Sequence, residues 1–81
     1  MASISYVFTS YSLESELGLA EVSIDDVALE RVRKAAAIDV ANWQRLECWP
    51  LTQDQARDVG NILGQAIDGS EAHYFVESRE P

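Results

Sequence analysis

Eighty-one residues make a single domain, and 47% hydrophobic with 25% charged residues argues against intrinsic disorder. Six basic residues against 14 acidic ones give a net charge of −8, which repels phosphate backbones and anionic membranes and so disfavours nucleic-acid and membrane partners. The single cysteine, Cys48, cannot close an internal disulfide. No basic and apolar leader follows Met1, and no apolar run approaches the ~18 residues of a membrane span, so a soluble cytoplasmic protein is expected.

Residues 3–11 place Ile4, Tyr6 and Phe8 in alternation, the period-two pattern of a strand with those three on its core face. The polar run Ser12–Glu16 predicts a turn. Leu17–Val22 predicts a second strand, antiparallel to the first across so short a connection. Gly18 inside it suggests a bulge or an edge position. Ser23 or Asp25 can cap the helix that follows, by accepting a bond from an orphan amide of its first turn. That helix runs from Asp26 to about Ala37, with Ala28, Leu29, Val32, Ala35 and Ala36 as a narrow apolar stripe. Asp25, Asp26 and Glu30 near its start, with Arg31, Arg33 and Lys34 further on, suit the helix dipole. Ile38–Asn42 is either a last turn or a loop.

Gln44–Trp49 predicts a third strand, ended by Pro50, which has no amide to donate. A period of two puts Leu46 and Cys48 on its buried face and Trp43, Arg45, Glu47 and Trp49 on the other. Thr52-Gln53-Asp54-Gln55 fits a capping box. Ala56, Val59, Ile62, Leu63, Ala66 and Ile67 then share one face of a second helix, which Gly69 ends. Gly60 and Gly64 open one side of it to close approach by a backbone. Ala72–Glu77 is the closing strand. Its apolar run Tyr74-Phe75-Val76 makes it central and covered on both faces, with the first strand as its natural neighbour. Residues 78–81 form a polar tail. The order ββαβαβ predicts an α+β two-layer sandwich, a mostly antiparallel four-stranded sheet with two helices on one face.

For catalysis the sequence offers little. His73 is the only histidine, and a lone histidine in a strand is more often structural than catalytic. Cys48 and His73 could form a thiol–imidazole pair in principle, but no nucleophile motif flanks either. One Cys and one His far apart do not supply a zinc set, Asp25 and Asp26 lack the spaced oxygens of a calcium loop, and no Gly-rich phosphate loop is present. No catalytic residue, metal or cofactor is expected, and a non-enzymatic binder is.

Two surfaces are candidates for a partner. Trp and Arg dominate interface hot spots, so Trp43, Arg45, Glu47 and Trp49 would make a compact patch. The alternative is that the indoles cover the sheet end while Arg45 and Glu47 form a surface ion pair. The second surface is acidic, with Glu14 and Glu16 in the first turn and Asp25 and Asp26 at the helix start. There the alternative is capping plus a solvated turn. Residues 1–30 hold six acids and no Lys or Arg, a field that steers a basic partner.

Trp49-Pro50-Leu51-Thr52 with Gln55, and the closing His73-Tyr74-Phe75-Val76-Glu77, resemble a family of small bacterial proteins. Those proteins are similar in size and charge to the immunity proteins encoded beside polymorphic and contact-dependent growth-inhibition toxins. The resemblance implies a cytoplasmic antitoxin-like protein, monomeric or weakly dimeric when free. It would neutralise one cognate toxin domain, such as a basic nuclease, at its active site or an adjacent exosite. The alternative from another class is a structural or regulatory interaction module, such as a homodimer paired through an exposed edge strand.

Overall fold

The computed structural model describes residues 4–15, 17–43, 45–65, 67, 70 and 72–80. Among them the elements run β1 (Ser5–Tyr11), β2 (Gly18–Ser23), α1 (Leu29–Ala35), α2 (Val40–Trp43), β3 (Cys48–Pro50), α3 (Gln53–Ile62) and β4 (His73–Arg79). The strands form one antiparallel sheet in the order β2-β1-β4-β3. The α+β expectation holds, with β1 and β4 adjacent at the centre and one short helix, α2, added to the predicted order.

Alternation along the central strands explains the layering. Tyr6 and Phe8 of β1 and Tyr74 and Val76 of β4 are buried in one cluster with Ala28 and Val32 of the α1 segment and Ala56 and Val59 of α3. Phe8 stacks on Tyr74 with ring centroids 5.6 Å apart. The alanine-rich stripe of α1 lets this helix lie close to α3, and Val32, Ala56 and Val59 are fully buried. Asp25 supplies the capping oxygen at the start of the first helical segment, accepting from the Ala28 amide at 2.9 Å. Residues 26–28 form a turn, so regular helix begins at Leu29 and not at the expected Asp26.

α1 ends because Ala37 turns left-handed, at φ 56°. The Ile38 amide reaches back to the Arg33 carbonyl at 3.1 Å, closing a Schellman-type cap. An alanine methyl is disfavoured at that φ. Ala37→Gly is therefore expected to raise stability by about 0.5–1 kcal/mol, after allowing for glycine's freedom in the unfolded chain. Chemical denaturation of the two proteins checks this. The chain then makes the α2 turn, in which the Asn42 and Trp43 amides bond the Asp39 carbonyl, where either a last turn of α1 or a loop was expected.

The stretch after α2 departs most from expectation. Regular strand begins at Cys48, not at Gln44, and Pro50 lies inside β3 opposite Phe75. Pro50 does not stop the ladder, because β3 is an edge strand. The Ser78 amide bonds the Glu47 carbonyl and the Leu51 amide bonds the Tyr74 carbonyl. Alternation from those two bonds points the Pro50 nitrogen away from β4, where no donor is needed. Nor are Ser78 and Arg79 part of a tail. Ser78 and Arg79 belong to β4, and the buried Ser78 hydroxyl donates to the Arg45 carbonyl at 2.6 Å and accepts from the Glu47 amide at 2.7 Å.

The capping box forms as expected: Thr52 Oγ1 accepts from the Gln55 amide at 3.2 Å and Gln55 Oε1 from the Thr52 amide at 3.0 Å. The helix it starts ends earlier than predicted. Gly64, at φ +75°, turns the chain just after Ile62, while the expected terminator Gly69 and the helix-face residue Ala66 lie outside the described residues. Ile67 still packs against the core, because the chain doubles back past Gly60.

Candidate functional site: the uncovered sheet face

The expected Trp/Arg patch is not where the alternation placed it. Trp43 stacks flat on Tyr6, ring centroids 4.0 Å apart and planes within 5°, and the Tyr6 hydroxyl donates to the Trp43 carbonyl. Burial raises the Tyr6 phenol above its ordinary value. Trp49 lies opposite Val76 on the helix side of the sheet, 5.5 Å from Trp43. Both indoles are half-buried against the core, whereas Leu46 is 52% exposed and Cys48 is exposed. The expectation is thus reversed for Trp43, Trp49, Leu46 and Cys48, whereas Arg45 and Glu47 are exposed as expected. The physical reason is that Trp43 ends a helix, so the strand phase cannot be counted from it, and Trp49 takes the core side. Arg45 and Glu47 are exposed and do not pair with each other among the described ion pairs. Their backbones are tied to Ser78 instead.

The expected acidic surface is divided. Glu14 is exposed in the turn between β1 and β2, and Glu16 lies outside the described residues. Asp25 and Asp26 are exposed beyond the other end of β2, where Asp25 also caps. The six residues of β2 separate the two groups by about 17 Å along the strand, so they are not one cluster.

A different surface assembles instead. The side chains of β1 and β4 that point away from the helices, Val7, Thr9 and Tyr11 with Phe75, Glu77 and Arg79, are in register across the two central strands. No described helix covers them. Phe75 is therefore not covered on both faces, as its apolar run suggested, but half-buried on this second face. Thr9 is nonetheless only 1% exposed, because its neighbours close over it. Its hydroxyl donates to Glu77 Oε2 at 2.6 Å, and the Tyr11 hydroxyl donates to the same oxygen at 2.7 Å. The bond to Glu77 is the main reason the Tyr11 phenol is raised. Arg79 pairs with Glu21 of β2 and stands 3.9 Å from Glu77 Oε1. That guanidinium holds the Glu21 carboxyl below the ordinary carboxylate range.

Beside this network Tyr11 meets Phe75 edge to face, centroids 5.5 Å apart. The two rings, with Cys48 and His73, line a shallow cleft of ≈ 330 Å³. Cys48 and His73 share the cleft but are not a nucleophile–base pair. Cys48 is opposite Glu77 and His73 lies four residues further along β4, about 13 Å away, with Phe75 between them. Partial burial, and then the Glu77 charge, push the Cys48 thiol up, away from thiolate. Cys48 should therefore be alkylated by iodoacetamide at pH 8 several-fold more slowly than a free cysteine thiol, measurable by mass spectrometry. Among the described residues no group of three His, Cys, Asp or Glu side chains is arranged to hold a metal ion.

Sequence reasoning missed Thr9, Tyr11, Phe75, Glu77 and Arg79 as a set. The available signal was phase. Once Tyr6, Phe8, Tyr74 and Val76 are assigned to the core, the intervening residues must share the other face.

A family described as a domain of unknown function (DUF7683) matches residues 5–77, which span β1 to all but the last two residues of β4. No curated protein and no solved structure matches the chain.

Proposed function

This chain belongs to the DUF7683 family, and within it we propose a non-enzymatic protein-binding domain whose uncovered sheet face receives a basic protein partner. One observation carries the proposal: in a chain of net charge −8, no helix among the described residues covers one face of the sheet, and an aromatic cleft is set into that face. Tyr11 and Phe75 supply rigid apolar area that is already partly desolvated, the property that makes aromatic residues interface anchors. The hydroxyl bonds to Glu77 fix Tyr11 before a partner arrives, which lowers the ordering cost of binding. The surrounding acidity speeds encounter with a basic surface.

In its narrower form this is an immunity protein that binds and neutralises a cognate toxin domain in the cytoplasm. The charge, the small domain and the separation of Cys48 from His73 support that form. Co-expression with the product of the adjacent upstream gene tests it. One co-eluting complex and rescued growth are expected, with both lost in Phe75→Lys. Two separately eluting proteins with no rescue would overturn the narrower form.

A further inference from the structure

The two edges of the sheet are not equivalent. On the β3 edge the outward-facing positions are Cys48 and Pro50, because the flanking Glu47 and Leu51 bond toward β4. Proline has no amide, so that edge is blunted at Pro50, the last residue of β3. The β2 edge has no such block. The Ile24 amide donates to the Tyr6 carbonyl, which fixes the phase of the β1–β2 ladder. Counting back by two, Val22 and Ala20 bond β1, while Ser23 and Glu21 turn their N–H and C=O groups outward. All of β2 except Val22 is exposed. The ladder shifts register between Ser10 and Tyr11, which leaves Leu19 as the extra residue of a bulge, 59% exposed. Among the described residues the free edge thus runs from Ala20 to Ile24 and offers four backbone groups.

Charge identifies what such an edge would take. Residues 1–30 contain no Lys or Arg, and the Arg79 that reaches Glu21 is already paired to it. Glu14 lies beyond one end of β2, and Asp25 and Asp26 lie beyond the other. A second copy of the chain would bring the same acids against these, which opposes self-pairing. Beside the bulge, Tyr11, Leu19 and Glu21 line a hollow of ≈ 260 Å³ that can accept a side chain from an added strand.

We infer that the β2 edge is a strand-addition site for a short extended segment of the partner that carries basic residues at both ends. This deepens the proposed function and rests on it, since the edge adjoins the uncovered face through Tyr11 and Glu21. Main-chain bonds supply the affinity in such pairing, and the flanking charges supply selectivity. The acids that sequence analysis expected at one site act, on this inference, as two clamps at the ends of one strand.

The test uses the full chain, isotope-labelled, with a blocked hexapeptide Lys-Thr-Val-Thr-Val-Lys as probe. Two controls accompany it: the same peptide with Glu at both ends, and one N-methylated on alternate amides. Four net hydrogen bonds predict a dissociation constant of about a millimolar, so amide shifts and hydrogen exchange are the readout. The Glu21 and Ser23 amides should exchange at least about fivefold more slowly with the Lys peptide and be unaffected by either control. Ser23→Pro should abolish the effect by removing an outward donor. Glu14→Lys with Asp26→Lys, which leaves the strand intact, should weaken binding about fivefold.

No shift at millimolar peptide overturns the inference, and so does equal binding by the N-methylated peptide. Shifts confined to Tyr11, His73 and Phe75 overturn the edge site while leaving the uncovered face as the binding surface. Concentration-dependent protection of β2 without peptide, with a dimer in sedimentation, shows a second copy on the edge and also overturns it.

Discussion

Replacing Trp43 with alanine is expected to lower stability by about 3 kcal/mol, the lower end for loss of a large aromatic from a core, since the ring is half-buried. The indole stacks on Tyr6 at 4.0 Å and touches the side of Trp49, so its removal opens a gap between β1, β3 and α2. The Tyr6 hydroxyl, whose acceptor is the Trp43 carbonyl, keeps its bond only if that turn stays in place. For a chain of this length 3 kcal/mol corresponds to a fall in Tm of roughly 12–24 °C, and the whole domain has only about 4–12 kcal/mol to lose. Thermal unfolding followed by circular dichroism measures it. An interface tryptophan would behave differently: its truncation would leave Tm nearly unchanged and weaken only partner binding. The stacking geometry predicts the first outcome.

Gly60→Ala is expected to destabilise by about 1–2 kcal/mol, against the usual gain of about 1 kcal/mol for alanine in a helix. A Cβ at position 60 would stand 2.8 Å from Ile67 Cγ1 and 3.0 Å from the Gln65 carbonyl oxygen. The chain is pulled this close because the Gln65 amide bonds the Gly60 carbonyl at 2.7 Å after the Gly64 turn. Side chains can give way, but the Gln65 carbonyl is backbone. Ile67→Ala should therefore relieve only part of the penalty, and the double variant should remain less stable than Ile67→Ala alone. Urea denaturation of the four proteins forms the cycle. Full relief would show that the clash is with the Ile67 side chain only.

How far the fold could be read from sequence depended on whether periodicity or a special backbone position decided the outcome. Tyr6 and Phe8, the alanine stripe of α1 and the Thr52–Gln55 box are local patterns with one physical meaning, and each formed as expected. Gly18 lies, as suggested, on an edge strand beside a bulge. Boundaries failed where a left-handed residue intervened. Ala37 and Gly64 both take positive φ, and neither an alanine nor one glycine among several announces that in sequence. Ser78 was misread as tail because its partners are the backbones of Arg45 and Glu47, more than thirty residues away.

The candidate site was harder to read for a related reason. Trp43 to Trp49 was given one strand phase throughout, although a helix ends at Trp43 and regular strand starts only at Cys48. One slip in phase exchanges the faces of a strand, so the indoles moved to the core and Cys48 to the open side. Thr9, Tyr11, Phe75 and Glu77 are distant in sequence, and only the β1–β4 register brings them together. The charge of the proposed partner is inferred from composition. The location came from topology.

Cys48 offers the most direct test of the proposed docking surface, because the chain's single thiol lies on the uncovered face. Iodoacetamide labelling is to be followed by mass spectrometry in the free protein and in the complex captured by co-expression. Occupation of the Tyr11–Phe75 cleft predicts that labelling of Cys48 falls sharply in the complex and returns to the free rate when the complex is dissociated by salt. Unchanged labelling of Cys48 in an intact complex would contradict the assignment of this face as the docking surface.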